Sequence, residues 1–111
     1  MMRAIRNLFG RLREAAFPVK TSFLAERYPN YRIGRGTYGD LEVSSWGEGT
    51  SLTIGSYTSI ARGVRVLLGG NHRVDWVTTY PFNTLWESAS QYTGHPSSKG
   101  NVIIGNDVWI G

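Results

Sequence analysis

The chain has no cysteine among its 111 residues, and only two of its residues are histidines. The absence of cysteine excludes disulfides, thiolate metal sites and a cysteine nucleophile, and it is compatible with a reducing compartment. No apolar run approaches the roughly 20 residues of a membrane span, and arginines interrupt the shorter runs that a secretory signal would need. We therefore expect a cytoplasmic protein.

The net charge of +4 is concentrated at one end of the sequence. Residues 1–20 hold five basic side chains against one acidic side chain, whereas the remainder holds seven of each sign. Because the body of the chain has no basic excess, we expect no nucleic-acid partner. Residues 3–17 place Ile5, Leu8 and Leu12 at helical spacing, which predicts a basic amphipathic helix. That helix either packs on the protein or a neighbouring subunit, or makes weak contact with an anionic membrane surface.

Aliphatic residues recur at a step of six in the middle of the chain. Ile54, Ile60 and Val66 follow this step, and the same spacing returns at Ile104 and Ile110. A period of six fits neither an α-helix nor a long strand, but it is typical of short strands alternating with tight turns. The 14 glycines suit turn positions that need a positive φ. We therefore predict an all-β fold, a left-handed parallel β-helix built from hexapeptide repeats, with these five aliphatic residues buried.

The repeats divide the chain into a short helical segment, residues 1–30, and a β-helix domain, residues 31–111. Within the domain, residues 69–101 leave the pattern and form a long loop rich in aromatic and turn residues, which indicates a functional segment. The sequence stops at Gly111, straight after the inward-facing Ile110. An open coil end would expose apolar core and strand edges, so we expect further coils that this chain lacks.

Four ordered blocks, WGEGTSLTIGSYTSIARGV, GGNHR, TTYPF and VIIGNDVWIG, lie within residues 31–111. Together they resemble the CatB-like xenobiotic acetyltransferases. This branch of the left-handed β-helix acyltransferases includes chloramphenicol, streptogramin and many sugar O-acetyltransferases. The resemblance implies a homotrimer that transfers an acetyl group from acetyl-CoA to a hydroxyl without a metal ion. It also implies that CoA lies between subunits, mostly against later coils, so no CoA-binding residue is assigned here.

The resemblance identifies His72, in GGNHR, as the general base. An alcohol is a poor nucleophile at neutral pH, so a neutral imidazole must take its proton during attack on the thioester. The alternative is a surface-loop histidine without a role. Asp75 is a candidate partner for the other ring nitrogen of His72. His95, in TGHPSS, is expected to be an exposed loop residue.

Five further residues are candidates for binding the acceptor substrate. Tyr38, in GTYGD, matches a family position that lines the acceptor site, although it would also cap the first coil. Asn71 precedes the base, where it either fixes the loop and contacts the substrate or is an ordinary turn residue. Trp76, Tyr80 and Phe82 form either an apolar wall for the acceptor or ordinary loop packing.

The sequence thus predicts an O-acetyltransferase that acts on a sugar or polysaccharide precursor. The alternative acceptor is an antibiotic of the chloramphenicol or streptogramin type. A γ-type carbonic anhydrase would need three histidine ligands for zinc, and the chain has two histidines. A non-catalytic β-helix scaffold would need neither the Asn-His pair nor the aromatic loop.

Overall fold

The computed structural model describes residues 5, 8, 11 and 23–111. The described elements, in chain order, are α1 (Leu24–Arg27), β1 (Arg32–Ile33), β2 (Tyr38–Ser44), β3 (Leu52–Ile54), β4 (Ser59–Leu67), α2 (Phe82–Leu85), a 3-10 helix (Glu87–Ala89), β5 (Val102–Ile104) and β6 (Trp109–Ile110). Of the helix predicted over residues 3–17, only positions 5, 8 and 11 are described, and they are helical. The rest of that prediction lies outside the described residues.

The described strands form two parallel sheets of three strands each, ordered β1-β3-β5 and β2-β4-β6. The register stacks the period-six residues in columns: Ile54 pairs with Ile33 on one side and Ile104 on the other, and Ile60 pairs with Ile110. Neither sheet closes on itself. Between residues 23 and 111 the helices are only three to four residues long and the strands lie in parallel sheets, which is consistent with the predicted all-β class.

The core lies between the two sheets. Its buried side chains are aliphatic and come mainly from the strands: Leu24, Leu41, Leu52, Ile54, Ile60, Val66 and Leu68. Ile104 and Ile110, which the repeat predicted to be buried, are only partly buried. The reason is that β5 and β6 are the outer strands of their sheets and have a neighbour on one side only among the described residues.

Two buried threonines link the turns that precede β2 and β4. The hydroxyl of Thr37 donates to Gly55 O at 2.6 Å and accepts from the Thr58 N–H at 3.1 Å. In the same way, the Thr58 hydroxyl donates to Gly105 O at 3.1 Å and accepts from the Val108 N–H at 3.3 Å. Both threonines are fully buried, so each hydroxyl satisfies backbone groups that water cannot reach.

The six-residue repeat predicts short strands separated by tight turns. Strand β4 differs from this prediction, because it runs without a break for nine residues. Its register against β2 shifts between Gly39 and Leu41, so that extra residues of β4 bulge out there. Gly63 lies in this bulge with φ +81°. Beyond the end of β4, Leu68 returns to the core with 1% of its surface exposed. The long loop starts immediately after this buried anchor.

Among the residues that the structure describes, no helix is long and apolar enough to cross a membrane.

Candidate active site

His72 lies at the start of the long loop, behind a tight turn at Gly69 and Gly70. Gly70 has φ +75°, and its N–H donates to Glu48 Oε1 at 2.9 Å. A Cβ atom at Gly70 would lie 2.8 Å from ring carbons of Trp46. Trp46 and Glu48 thus support the turn at Gly70. This support sets the direction in which the chain reaches His72.

Asn71 joins the two ends of the loop through its backbone. Its N–H donates to Ser97 O at 3.0 Å, and its carbonyl oxygen accepts from the Ser97 N–H at 2.9 Å and from the Ser97 hydroxyl at 3.3 Å. This antiparallel bridge brings residues 71 and 97 together across the whole loop. Asn71 therefore holds the two ends of the loop together through its backbone. Contact of its side chain with the substrate remains a prediction.

The imidazole of His72 is exposed, and one of its nitrogens is already engaged. Nδ1 lies 2.7 Å from the carbonyl oxygen of Thr79. Because a carbonyl oxygen can only accept, Nδ1 must carry the proton, and in the neutral ring the lone pair is then on Nε2. The backbone of the loop therefore selects the tautomer that a base acting through Nε2 requires.

Asp75, the candidate partner of His72, instead pairs with Arg73. The Arg73 Nε donates to Asp75 Oδ1 at 2.7 Å and Nη2 donates to Oδ2, a two-pronged ion pair. The hydrogen bonds from Arg73 lower the pKa of Asp75 to about 2, and the same contact raises the pKa of Arg73. The expectation that Asp75 orients His72 is wrong, because the Thr79 carbonyl takes that place.

His95 is buried, with 4% of its surface exposed, so the expectation of an exposed loop residue is also wrong. Its ring packs edge-on against the ring of His72, with centroids 5.1 Å apart and planes at 76°. It also contacts Trp76, at 5.7 Å between centroids. The sequence spacing does not predict the contact between His72 and His95, because the two residues are 23 positions apart and meet only when the loop folds back on itself.

An open cavity of about 800 Å³ lies within the long loop. Its lining residues are Asp75, Trp76, Val77, Thr78, Tyr80, Phe82, Asn83, Ala89, Gln91, Tyr92 and Thr93. The three aromatic residues of the predicted wall, Trp76, Tyr80 and Phe82, are among them. The rings of Tyr80 and Phe82 are in tilted contact, with centroids 4.6 Å apart and planes at 59°.

Tyr38 lies away from this cavity. It begins β2, pairs with Ser59 of β4, and leaves 45% of its surface exposed. The cavity lining does not include Tyr38, Asn71 or His72. The predicted part of Tyr38 in acceptor binding therefore rests on its match to a family position, and that of Asn71 on its place directly before His72.

Sequence reasoning missed Asn83 and Glu48. Asn83 lines the cavity, and its Nδ2 donates to the His95 carbonyl oxygen at 2.6 Å. Its Oδ1 is buried without a hydrogen-bond partner in the described part of the chain. A lone asparagine in a loop carries no sequence signal for such a role, whereas Glu48 lies in the WGEG string that was noted only for its family match.

The described residues include no group of three or more histidine or carboxylate side chains that could hold a metal ion. His72 and His95 do lie together, but no acidic or further histidine side chain completes a ligand set around them in the described ranges.

Known proteins similar to this chain are acetyltransferases. Over 67 residues it is 46% identical to a "Probable macrolide acetyltransferase" of Lysinibacillus sphaericus, a match covering 57% of this chain and 37% of that protein. Over 117 aligned positions it is 32% identical to a "Chloramphenicol acetyltransferase" of Klebsiella aerogenes, covering 85% of this chain and 54% of that protein. A "Chloramphenicol acetyltransferase" of Morganella morganii matches at 33% identity over 113 positions, with the same coverage of each chain.

The chain spans about half the length, or less, of the curated relatives that it matches. No protein-family model and no solved structure matches it. The relatives confirm the resemblance to the CatB-like xenobiotic acetyltransferases that the sequence blocks indicated.

Proposed function

We propose that this chain, as a relative of chloramphenicol and macrolide acetyltransferases, carries the general base and the acceptor cavity of an acetyl-CoA-dependent O-acetyltransferase. The acceptor is a hydroxyl of an antibiotic-like xenobiotic. The observation that supports this proposal most strongly is the hydrogen bond from His72 Nδ1 to Thr79 O, which leaves Nε2 able to accept a proton. The names of the relatives favour an antibiotic over the sugar or polysaccharide precursor that we first expected.

In the proposed reaction, Nε2 of His72 takes the proton from the acceptor hydroxyl as its oxygen attacks the thioester carbonyl of acetyl-CoA. The carbon–sulfur bond then breaks, and the imidazolium returns the proton to the departing CoA thiolate. The products are an acetyl ester and free CoA, and His72 is neutral again. During the step, the Thr79 carbonyl accepts a charge-assisted hydrogen bond from the transient imidazolium and so stabilises it.

The cavity of about 800 Å³ is proposed as the acceptor site. Its volume lies within the roughly 300–1,000 Å³ that is typical of sites for drug-sized ligands. Trp76, Tyr80 and Phe82 offer large apolar faces there, which favours an acceptor with extended apolar surface. Tyr38 remains a proposed acceptor contact because it matches a family position, and Asn71 remains one because it directly precedes His72.

We also propose that the two parallel sheets are faces of a left-handed parallel β-helix and that the whole protein is a homotrimer. The stacked isoleucines and the two threonine links support the helical winding, because they connect equivalent positions of successive layers. Ile103 and Trp109 are 78% and 83% exposed, and apolar side chains so exposed on the outer sheet faces favour a subunit contact. Acetyl-CoA would bind between subunits. For residues 3–17, packing on the protein or a neighbouring subunit and weak contact with a membrane surface both remain predictions.

The test is to measure acetyl transfer by the whole protein, with chloramphenicol and a macrolide as separate acceptors and release of free CoA thiol as the readout. His72→Ala should lower kcat by roughly 10²- to 10⁴-fold, the usual contribution of a positioned base. KM for acetyl-CoA should change little.

Val74→Ala is the matched control, because this side chain lies two positions from His72, is 86% exposed and does not line the cavity. It should leave kcat unchanged. Near-normal turnover of His72→Ala would overturn the proposed mechanism. Activity on sugar hydroxyls alone would overturn the proposed acceptor class.

A further inference from the structure

We propose that His95 is a positioning residue that holds the ring of His72 in the orientation needed for proton transfer. This inference rests on the proposed function of His72 as the base. The two imidazoles meet edge to face, with centroids 5.1 Å apart and planes at 76°. That distance and that angle are typical of a favourable aromatic contact.

His95 is itself held from several sides, which a positioning residue requires. The backbone N–H of Arg73, the residue directly after His72, donates to His95 Nδ1 at 3.3 Å. The His95 carbonyl oxygen accepts from Asn83 Nδ2 at 2.6 Å and from the Thr84 hydroxyl at 3.5 Å. The ring is therefore tied to the segment that carries the base, and the backbone of His95 is tied to helix α2 at the cavity.

One ring nitrogen of His95 has a hydrogen-bond partner among the described residues and the other has none. Because Nδ1 accepts the Arg73 N–H, the proton of the neutral ring is on Nε2. Nε2 is buried and has no hydrogen-bond partner within the described part of the chain. A buried donor without an acceptor is costly, and an apolar ring would avoid that cost. The Nδ1 contact with the backbone of Arg73 offsets part of that cost, whereas the contact between the two rings is the one proposed to act on the base.

His72, by contrast, is exposed, and within the part of the chain that the structure describes its side chain has a single hydrogen bond, from Nδ1 to Thr79 O. A single hydrogen bond leaves the ring free to tilt about it. The edge contact with His95 removes that freedom and fixes where the Nε2 lone pair points. Small displacements of a catalytic group lower turnover strongly, so this contact is expected to act on kcat.

Two substitutions separate the two contacts of His95. His95→Asn keeps an acceptor near the position of Nδ1 but removes the ring, whereas His95→Phe keeps the ring but removes the acceptor. If the ring contact positions His72, His95→Asn should lower kcat by about 10- to 100-fold with KM for acetyl-CoA unchanged. His95→Phe should keep a kcat within about threefold of the wild type, and Val74→Ala should match the wild type.

A spectroscopic readout tests the same point without any turnover. In ¹⁵N-labelled protein, His72 should be in the Nδ1–H tautomer and its ring protons should show a nuclear Overhauser effect to those of His95. In His95→Asn the tautomer signal should move toward the averaged value of a mobile imidazole, and circular dichroism should show that the fold is kept. If this variant does not fold, the Overhauser effect in the wild type still decides whether the rings are in contact.

The inference is overturned if the Overhauser effect is absent, or if a folded His95→Asn keeps both the wild-type tautomer and the wild-type kcat. A loss of kcat in the Phe variant as large as that in the Asn variant would also overturn it, because a ring at this position would then not be enough to position His72. If His72→Ala keeps its turnover, the proposed function itself has failed. If His72→Ala is inactive and His95→Asn is normal, only the role of His95 is refuted.

Discussion

The turn at Gly70 offers a prediction whose magnitude follows from the structure. Gly70 has φ +75°, a conformation that costs an ordinary residue about 1–2 kcal/mol. In addition, an alanine Cβ there would lie 2.8 Å from ring carbons of Trp46, too close for any real contact. Displacing a packed side chain to admit a methyl group costs about 1–3 kcal/mol more. We therefore expect Gly70→Ala to lower the free energy of unfolding by about 2–4 kcal/mol, after the smaller loss of chain entropy in the unfolded state is subtracted.

Gly63→Ala is the matched control for the backbone term. Gly63 has φ +81°, and a Cβ there would meet nothing within 4 Å. The free energy of unfolding of this variant should fall by only about 1 kcal/mol, because an alanine there has the cost of the left-handed backbone conformation but no steric clash. The pair of variants thus isolates the effect of Trp46 from the effect of φ.

Denaturant unfolding of the wild type, of Gly70→Ala, Gly63→Ala and Trp46→Ala, and of the Gly70→Ala/Trp46→Ala double variant measures these terms. Removing the indole should make room for the methyl group, so the double variant should be less unstable than the sum of its single changes. Equal destabilisation by Gly70→Ala and Gly63→Ala would refute the reasoning. Because Gly70 lies two positions before His72, Gly70→Ala should also lower kcat of the whole protein, whereas Gly63→Ala should not.

Two further predictions concern the ion pair of the loop and the assembly. Arg73 lowers the pKa of Asp75 to about 2, so the pair stabilises the loop above the ordinary carboxyl range and weakens as pH falls toward 2. In an NMR titration, the carboxyl carbon of Asp75 should show a midpoint near pH 2. In Arg73→Gln this midpoint should return to about 3.9. A midpoint of about 3.9 in the wild type would contradict the ion pair. The whole protein should sediment as a trimer, and Trp109→Asp, at an 83% exposed position, should dissociate it. An active monomer would contradict the proposed assembly.

The period-six pattern predicted the fold class well because it reflects a local requirement. Ile54 and Ile60 had to face a core at each short strand, and the structure buries them to 2% and 4% exposure. The same pattern misjudged Ile104 and Ile110, because burial at an edge depends on whether another strand covers it. A repeat shows which way a side chain faces, but it carries no information on what lies opposite.

In the candidate site, too, some features were predicted from the sequence and others depended on tertiary contacts. The sequence by itself pointed to His72, since GGNHR follows directly on a repeat and matches a family pattern, and it placed Trp76, Tyr80 and Phe82 in one loop, where the structure finds them lining one cavity. It misassigned the partner of His72 and took His95 for an exposed residue. Loop contacts such as His72 with Thr79 O and with His95 depend on how an irregular chain closes on itself, and no periodicity encodes that closure.

What the sequence determined, then, is the parallel all-β class, the position of the loop and the identity of its candidate base. Only the tertiary structure decided the tautomer of that base, the burial of His95 and the support of the Gly70 turn by Glu48 and Trp46. The physical reason is that strand pattern arises from the alternation of residues along a chain. Hydrogen-bond partners in a loop arise from residues that meet only when distant segments pack together.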